Sequence, residues 1–405
     1  MVFCVFFFEK KWLCFVLAQC GRIFAALLRK HNAMKFLHLS DLHIGKKVND
    51  YSLLNDQKYI LNQIVDTVAL EKPDAILVSG DVYDKSVPSA EAVQLLDDFL
   101  TRLSEMRQKV FVISGNHDSA ERIAFGSEIM KHSGIYFSPV YNGSIEPIAL
   151  NDEFGVVNIF MLPFIRPANV RACLEIEGAL SYTEAVHVAI ENMNVDTSVR
   201  NVLMAHQFVT GAERCDSEEV IGGLDNVDAD VFDCFDYVAL GHLHRPQNVT
   251  DKIRYCGTPL KYSISELNDE KSVSVVELGR KGELVLREIP LVPLRNWQDL
   301  RGKYADLLVK SASTDDFVRI TLTDEDEILN AYANLRNIYP NILSFAYDNR
   351  RTRAQGAAGS VSQLKHKTPM QLFSEFYRQQ NNSDLSEKQI EYVQSIINEI
   401  WEDEL

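Results

Sequence analysis

Two histidines lie one residue apart in "GHLH" at positions 241–244, directly after an apolar run. In a β-strand, residues i and i+2 point to the same face, so His242 and His244 could bind one metal ion together. A sharp turn after Gly241 would instead direct them to two adjacent ions. Because such a pair also fits simple packing, a metal site requires further ligands elsewhere in the chain.

Four other apolar runs end in residues of the same chemical types. They are Asp41 and His43 in "SDLH", Asp81 and Asp84 in "SGDVYD", Asn116, His117 and Asp118 in "SGNHD", and His206 in "NVLMAHQ". Each motif alone is compatible with a turn or a helix cap. Five such motifs, each at the carboxyl end of a predicted strand, are better explained by a site, because open α/β sheets place their sites there.

Carboxylates, imidazoles and a carboxamide oxygen suit Mn²⁺, Fe²⁺ or Zn²⁺. A carboxylate can also bridge two ions, which two-metal sites hold about 3.5–4 Å apart to polarise a phosphoryl group and activate a water. The residue types therefore predict metal-dependent hydrolysis of a phosphate ester.

The elements that must position these residues alternate between strands and helices. The segments "MKFLHLSD", "DAILVSGD" and "KVFVISGNHD" are predicted strands. Between them lie two segments with helical spacing, the second with Ser89 as its predicted N-cap. This alternation indicates an α/β layer architecture, and the continuous apolar strands indicate a sheet that is covered on both sides.

Composition restricts the partners and the compartment. The 405 residues allow two or three domains, and the formal net charge of -16 argues against electrostatic coating of nucleic acid over the whole surface. A local basic groove remains compatible with that charge. The seven cysteines form no C-x-x-C motif and their number is odd, which favours a reducing compartment.

The first 33 residues differ from the rest. They are apolar, but Gln19 and Arg22 interrupt the longest candidate membrane span, and Glu9, Lys10 and Lys11 interrupt a signal peptide. We interpret residues 1–33 as an extension without a fold of its own that precedes a natural start at Met34, the alternative being a membrane anchor.

The order of the motifs D-x-H, G-D-x-x-D, G-N-H-D, a single His and G-H-x-H resembles the calcineurin-like metallophosphoesterases. The segments "GNHDSAERI", "LPFIRP", "GHLHRPQ" and "YCGTPLKYSISE" are similar to the bacterial SbcD family of nuclease subunits, and the similarity extends from Met34 to the C-terminus. The resemblance implies an α/β fold, a two-sheet αββα sandwich with a small α/β capping domain and a C-terminal helix pair.

The resemblance also implies the roles of the site residues. One ion takes Asp41, His43, Asp81 and His244, and the second takes Asp81, Asn116, His206 and His242, so that Asp81 is the bridge. Mn²⁺ is the expected ion, with Mg²⁺ or Fe²⁺ as alternatives. His117 is left for catalysis, and Asp84 and Asp118 would orient it or tune its pKa, although Asp118 could equally cap a helix.

Five segments are expected along the chain. They are the extension 1–33, a nuclease domain 34–292, a capping domain 293–349 with the order helix, strand, helix, strand, a linker 350–367, and a helix pair 368–405. Both helices of the pair carry apolar residues on one face. The resemblance implies that the pair binds an SbcC-like coiled-coil ATPase, and the alternative is that it folds back onto the capping domain.

The implied function is a DNA nuclease, both a 3′→5′ exonuclease and an endonuclease, that acts in DNA end processing and repair. A homodimer within a heterotetramer, a cytoplasmic location and no stable membrane association are expected. The candidate contacts to DNA phosphates are Lys46, Lys47, Arg122, Arg166, Arg245 and Lys261. The alternatives are a phosphoesterase for cyclic nucleotides or phosphoproteins, and a subunit that only tethers DNA ends.

Overall fold

The computed structural model of the protein describes residues 33–49, 51–213, 215, 226–309, 314–350, 352, 369–381, 384–386, 388–390 and 392–394. Residues 1–32 of the predicted extension, most of the predicted linker and much of the second C-terminal helix lie outside these residues. The chain divides into two units, one of Met1–Gln298 with Asp315–Phe317 and one of Asp299–Thr314 with Val318–Leu405.

The first unit contains two six-stranded sheets. In spatial order, the first sheet contains Leu284–Pro290, Ser272–Leu278, Met34–Leu39, Ala75–Ser79, Lys109–Ile113 and Ile135–Phe137. The last four of these strands are parallel, whereas the other two form an antiparallel hairpin against Met34–Leu39. The three predicted strands Met34–Leu39, Ala75–Ser79 and Lys109–Ile113 are confirmed.

The second sheet contains, in spatial order, Gln247–Asn248, Ile253–Tyr255, Tyr237–Gly241, Arg200–His206, Gly155–Met161 and Ile148–Asp152. Its four inner strands are parallel, and its two edge strands are antiparallel to their neighbours. Short two-stranded sheets accompany the large ones at Lys47–Val48 with Tyr51–Ser52 and at Phe208–Val209 with Asn226–Val227.

One hydrophobic core lies between the two sheets. Phe36, Leu77 and Phe111 of the first sheet and Val202 and Ala239 of the second are fully buried in it. This face-to-face packing explains why the strands are almost continuously apolar, because their outer faces are also covered. The two-sheet α/β class predicted from the sequence is therefore confirmed.

Helices flank the sandwich. The longer ones are Leu54–Glu71, Ala90–Glu105, Pro167–Leu174 and Tyr182–Glu191, and the shorter ones are Ala120–Ile123, Ser127–Met130, Lys131–Ser133, Ala229–Phe232 and Ile264–Glu266. Ser89 caps the second long helix by accepting a hydrogen bond from the Ala92 backbone N–H at 3.3 Å, as predicted.

The second unit contains a small α/β module. Its strands Trp297–Gly302, Phe317–Leu322 and Ile342–Tyr347 form one sheet, and its helices are Tyr304–Val309 and Ala331–Arg336. The first helix predicted for this module, in "WQDLRGKYADLLVK", is found only at Tyr304–Val309, since Trp297–Gly302 is a strand. Trp297 and Leu300 have helix-like spacing, but Asp299 pairs with Arg319 on the adjacent strand at 3.0 Å, a contact that only the sheet provides.

The helix Pro369–Asn381 confirms the first of the two predicted C-terminal helices. Its Phe373 and Phe376 side chains are 40% and 59% exposed. Within the described part of the chain, no helix has the length and apolarity that crossing a membrane requires.

Candidate metal centre

The predicted site residues lie in loops at the carboxyl ends of the parallel strands of both sheets. Four of them have left-handed backbone conformations, with φ of 51° at Asp41, 42° at His43, 47° at Asp81 and 101° at His242. A residue other than glycine costs about 1–3 kcal/mol in such a conformation, so the surroundings must enforce it. These residues are therefore placed where local backbone preference alone would not put them.

Hydrogen bonds between neighbouring loops enforce these conformations. The Asp41 N–H donates to the Gly80 carbonyl at 3.0 Å, and the His43 N–H donates to the Asp81 carbonyl at 2.9 Å. The buried Gln57 amide donates to the His43 carbonyl at 2.7 Å and accepts from the Gly45 N–H at 2.9 Å. The "SDLH" and "SGD" loops are thereby fastened to each other and to the first long helix.

Two glycines allow the strand ends to approach closely. A Cβ atom at Gly115 would lie 2.1 Å from Asp81 Oδ1, and one at Gly241 would lie 1.9 Å from the Ser79 carbonyl oxygen. These distances are far below contact, so the "GN" and "GH" motifs require glycine for space. The Ser79 carbonyl also accepts from His206 Nδ1 at 2.8 Å, which leaves His206 Nε2 to face the site.

One group of donor atoms surrounds His43. His43 Nε2 and His244 Nε2 are 3.2 Å apart, and Asp81 Oδ2 lies 3.7 Å from His43 Nε2. All three side chains are buried. Two imidazole nitrogens and a carboxylate oxygen that converge in this way fit the ligand chemistry of a divalent cation.

A second group of donor atoms surrounds Asn116. Its Oδ1 lies 3.0 Å from both His206 Nε2 and His242 Nδ1, and Asp81 Oδ2 lies 3.4 Å from His206 Nε2. His242 and His244 therefore serve different groups, because the strand ends at Gly241 and the chain turns. Asp81 lies between the two groups, the position that a bridging carboxylate would need.

Burial and neighbouring charges shift the pKa values of the groups in this site. Burial raises the pKa of Asp41 to about 6. Burial also raises the pKa of Asp81, but His206 and His43 outweigh that effect and hold it well below its usual range. Burial lowers the pKa of His206, but the Asp81 carboxylate outweighs it and raises the pKa to about 9. When a cation binds, a site of carboxylates and imidazoles releases the protons that its ligand atoms hold.

His117 lies at the open edge of the site, with 27% of its side chain exposed. Its Nδ1 donates to the Asp84 backbone carbonyl at 3.0 Å. Because a carbonyl can only accept, Nδ1 carries the proton and Nε2, 4.0 Å from Asp81 Oδ2, is directed at the site. This geometry leaves Nε2 free to face a substrate, although the same atom also lies within ligand distance of a cation held by His43 and Asp81.

The two carboxylates expected to orient His117 or tune its pKa have their direct contacts with other groups. Asp84 orients the ring through its backbone carbonyl, while its carboxylate pairs with Lys46 Nζ at 2.7 Å. The Asp118 carboxylate accepts from the backbone N–H groups of Val82, Tyr83 and Gly115 at 2.9–3.0 Å. Asp118 thus braces the two loops, because these nearby N–H groups bind its oxygens.

The six candidate DNA contacts fall into two sets. Lys47, Arg122 and Arg166 have exposed side chains, and Lys46 is beside the site through its pair with Asp84. Arg245 instead contacts Asp269 and Glu213, and Lys261 donates to the Leu267 carbonyl at 2.6 Å and to Asn296. Arg122 also donates to the Ser86 carbonyl at 2.8 Å, so engagement within the protein is not restricted to the second set.

Sequence reasoning missed the buried residues behind the ligands. Glu266 Oε1 lies 3.5 Å from His244 Nδ1, and Lys271 Nζ lies 2.6 Å from Glu266 Oε2. Phe164 packs beside His206 and His242. The segments "YSISE" and "LPFIRP" contain Glu266 and Phe164, but only the three-dimensional contacts assign them a place.

Two family patterns match the chain. The calcineurin-like phosphoesterase pattern matches residues 34–246, and the pattern described as type 5 capsule protein repressor C-terminal domain (SbcD_C) matches residues 290–381. A curated relative, the D subunit of nuclease SbcCD from Staphylococcus epidermidis, is 32% identical over 383 residues, which are 92% of this chain and 100% of the relative.

Two solved structures are also similar. TT1561 of Thermus thermophilus has a TM-score of 0.38 and 14% identity, covering 63% of this chain and 99% of its own. A dimetal phosphatase from Danio rerio has a TM-score of 0.37 and 11% identity, covering 64% of this chain and 96% of its own. From the family pattern and the curated relative, the chain belongs to the calcineurin-like phosphoesterases and, among them, to the family of the D subunit of nuclease SbcCD.

Proposed function

We propose that the chain is a metal-dependent DNA nuclease that works with an SbcC-like ATPase in DNA end processing and repair. One observation carries the proposal. Buried carboxylates, imidazoles and an amide oxygen converge around Asp81, with His117 at the open edge, in a chain of the SbcD nuclease family. The expected activities are 3′→5′ exonuclease and endonuclease cleavage.

Two divalent ions would occupy the site. Asp41, His43, Asp81 and His244 would hold one of them, and Asp81, Asn116, His206 and His242 would hold the other. Mn²⁺ is the expected ion, with Mg²⁺ or Fe²⁺ as alternatives. When bound, such a pair polarises a phosphoryl group and supplies an activated water.

His117 would face the scissile phosphate. Its side chain is 27% exposed at the edge of the site, and the Asp84 carbonyl accepts from Nδ1 and fixes the ring. A protonated Nε2 would stabilise the developing charge or deliver a proton to the leaving oxygen. We treat His117 as the catalytic residue, with Asp84 as the residue that positions it and Asp118 as the brace of the surrounding loops.

Lys47, Arg122 and Arg166 would neutralise DNA phosphates beside the site, with Lys46 as a nearer contact. Arg245 and Lys261 are weaker candidates, because their side chains are less exposed than those of Lys47, Arg122 and Arg166. Contacts to phosphates position a strand without reading its sequence, so we expect cleavage of many sequences.

The partner is expected to bind the C-terminal helices. Phe373 and Phe376 expose apolar surface on the helix Pro369–Asn381, as helix-in-groove docking requires. A homodimer within a heterotetramer is expected, and Phe125 and Ile129, which are 85% and 77% exposed, are candidate contacts within it. We propose that residues 34–292 form the nuclease domain and that residues 293–349 cap it. We also propose that the complex acts in the cytoplasm.

A cleavage assay tests the proposal. The full chain is incubated with hairpin and blunt duplex DNA in Mn²⁺ or Mg²⁺, with and without the ATPase, and in parallel with a cyclic nucleotide and a phosphoprotein. The proposal predicts metal-dependent cleavage of DNA that the ATPase and ATP extend to duplex ends. Hydrolysis of the small ester or the phosphoprotein without DNA cleavage would support a different phosphoesterase, and DNA binding without any hydrolysis would support a tethering subunit.

A further inference from the structure

Glu266 is a fully buried carboxylate directly behind the proposed ligand His244. Its Oε1 faces His244 Nδ1 at 3.5 Å and accepts from the Tyr262 N–H at 3.2 Å and from Ser263 Oγ at 3.1 Å. Its Oε2 accepts from Thr258 Oγ1 at 3.2 Å. The carboxylate thus lies on the side of the imidazole opposite Nε2, the atom that faces His43.

Lys271 connects Glu266 to the backbone of the same histidine. Its Nζ lies 2.6 Å from Glu266 Oε2 and 2.9 Å from the His244 carbonyl oxygen. Only 3% of the Lys271 side chain is exposed. One ammonium group therefore fixes both the carboxylate and the chain segment that carries the imidazole.

A buried ion pair of this kind contributes little stability compared with apolar residues of similar size, because removing both charges from water is costly. A carboxylate against the outer nitrogen of a metal-binding histidine has a different use. It holds the proton on that nitrogen and the plane of the ring, so that the inner nitrogen is offered to the cation.

We propose that Glu266, held by Lys271, is a positioning residue that directs His244 Nε2 toward the cation shared with His43. The inference rests on the proposed function in that the cation is the one required for hydrolysis. Glu266 in the segment "YSISE" would thereby align His244, a ligand of one of the two ions.

The test is a Mn²⁺ titration of the full chain by calorimetry, with Glu266→Gln compared with Glu270→Gln. Glu270 is an exposed neighbour with the same charge, so it controls for the loss of one carboxylate. We expect Glu266→Gln to weaken one of two Mn²⁺ sites by about 10–100-fold and to leave the other unchanged. We expect Glu270→Gln to bind both ions like the unaltered chain.

Thermal unfolding separates alignment from a purely structural role. Alignment predicts that Glu266→Gln loses most of the Mn²⁺-dependent rise in the melting temperature, while the melting temperature in EDTA changes less. Should the variant fail to fold, Thr258→Val removes a hydroxyl that lies 3.2 Å from Glu266 Oε2 and 3.3 Å from the His244 carbonyl oxygen, and it is expected to act in the same direction more weakly.

Unchanged affinity at both sites in the folded variants would overturn the role of Glu266, as would an equal loss at both sites. A different result would refute the proposed function. An unaltered chain that binds two Mn²⁺ ions without cleaving DNA would refute the nuclease and leave the alignment of His244 standing.

Discussion

At the scale of single residues, the proposal assigns His117 to catalysis, although its Nε2 also lies within ligand distance of a cation held by His43 and Asp81. Its ring is fixed by the Asp84 carbonyl and its Nε2 is at the exposed edge. Replacing His117 by Ala should lower the rate of DNA cleavage by about 10²-fold or more, the scale of losing a positioned acid or electrostatic stabiliser. Mn²⁺ affinity, measured by titration, should stay near normal.

His132→Ala is the matched control, because His132 is an exposed histidine outside the site. It should retain both cleavage and metal affinity. If His117→Ala binds one Mn²⁺ ion fewer, His117 is a ligand of the cation held by His43 and Asp81, and its assignment as the catalytic residue is wrong.

The residue types of the site were predictable from the sequence, but their directions were not. The "GHLH" motif left open whether His242 and His244 face one point or two. The answer depends on the end of the strand at Gly241 and on the φ of 101° at His242, which contacts from other loops enforce. The hydrogen-bond partners of Asp118 were not predictable for the same reason, since two of its three backbone N–H partners lie 35 and 36 residues away, contacts that composition does not encode.

At the scale of elements, one segment of the small α/β module has a sequence pattern that favours a helix, whereas its pairing with a neighbouring strand favours a strand. The long apolar strands of both sheets were predictable because their burial on two faces leaves a clear apolar run. Trp297–Gly302 is short and half-exposed, and its pairing with the strand Phe317–Leu322 overrides its helix-like spacing. Only the neighbouring strand determines that this segment is a strand and not a helix.

The prediction at the scale of elements is that the helix Pro369–Asn381 is required for binding the ATPase. Truncation after Lys367 should leave metal-dependent cleavage of single-stranded DNA largely intact and abolish co-purification with an SbcC-like ATPase, because the apolar face proposed to dock on the ATPase is removed. ATP-dependent cleavage of duplex ends should disappear with it. The measurements are a pull-down and a cleavage assay on the two substrates.

A point variant tests the same prediction without removing the C-terminal helices. Phe376→Glu places a charge on a side chain that is 59% exposed, whereas Gln371→Glu adds the same charge at another exposed position of the helix. Phe376→Glu should weaken binding of the ATPase and Gln371→Glu should not. Undiminished binding by the truncated chain would indicate that the helices serve the capping domain instead.

At the scale of the whole molecule, a chain with net charge -16 must bind an anionic polymer through local positive charge. Replacing Lys47, Arg122 and Arg166 together by Ala should raise the KM for DNA. The slope of log affinity against log salt should become shallower by up to about 0.7–0.9 for each phosphate that is no longer neutralised. kcat should change less, because none of the three is in the metal site. The measurement is cleavage over a series of salt concentrations.

Lys58→Ala is the control for this series, since Lys58 is exposed on the outer helix Leu54–Glu71. It should leave both KM and the salt slope unchanged. A triple variant with the salt slope of the unaltered chain would show that DNA approaches the site over a different surface.

The central claim is that the donors around Asp81 bind the divalent ions that hydrolyse DNA. The most direct measurement is the rate of cleavage of labelled duplex DNA by the full chain as a function of Mn²⁺ concentration, for the unaltered chain and for Asp81→Asn. The account predicts a saturable dependence on Mn²⁺ that EDTA abolishes and added Mn²⁺ restores, and a loss of about 10²-fold or more in the variant, because the proposed bridge between the two ions is removed. Cleavage that persists in EDTA, or a folded Asp81→Asn variant with full activity, would contradict it.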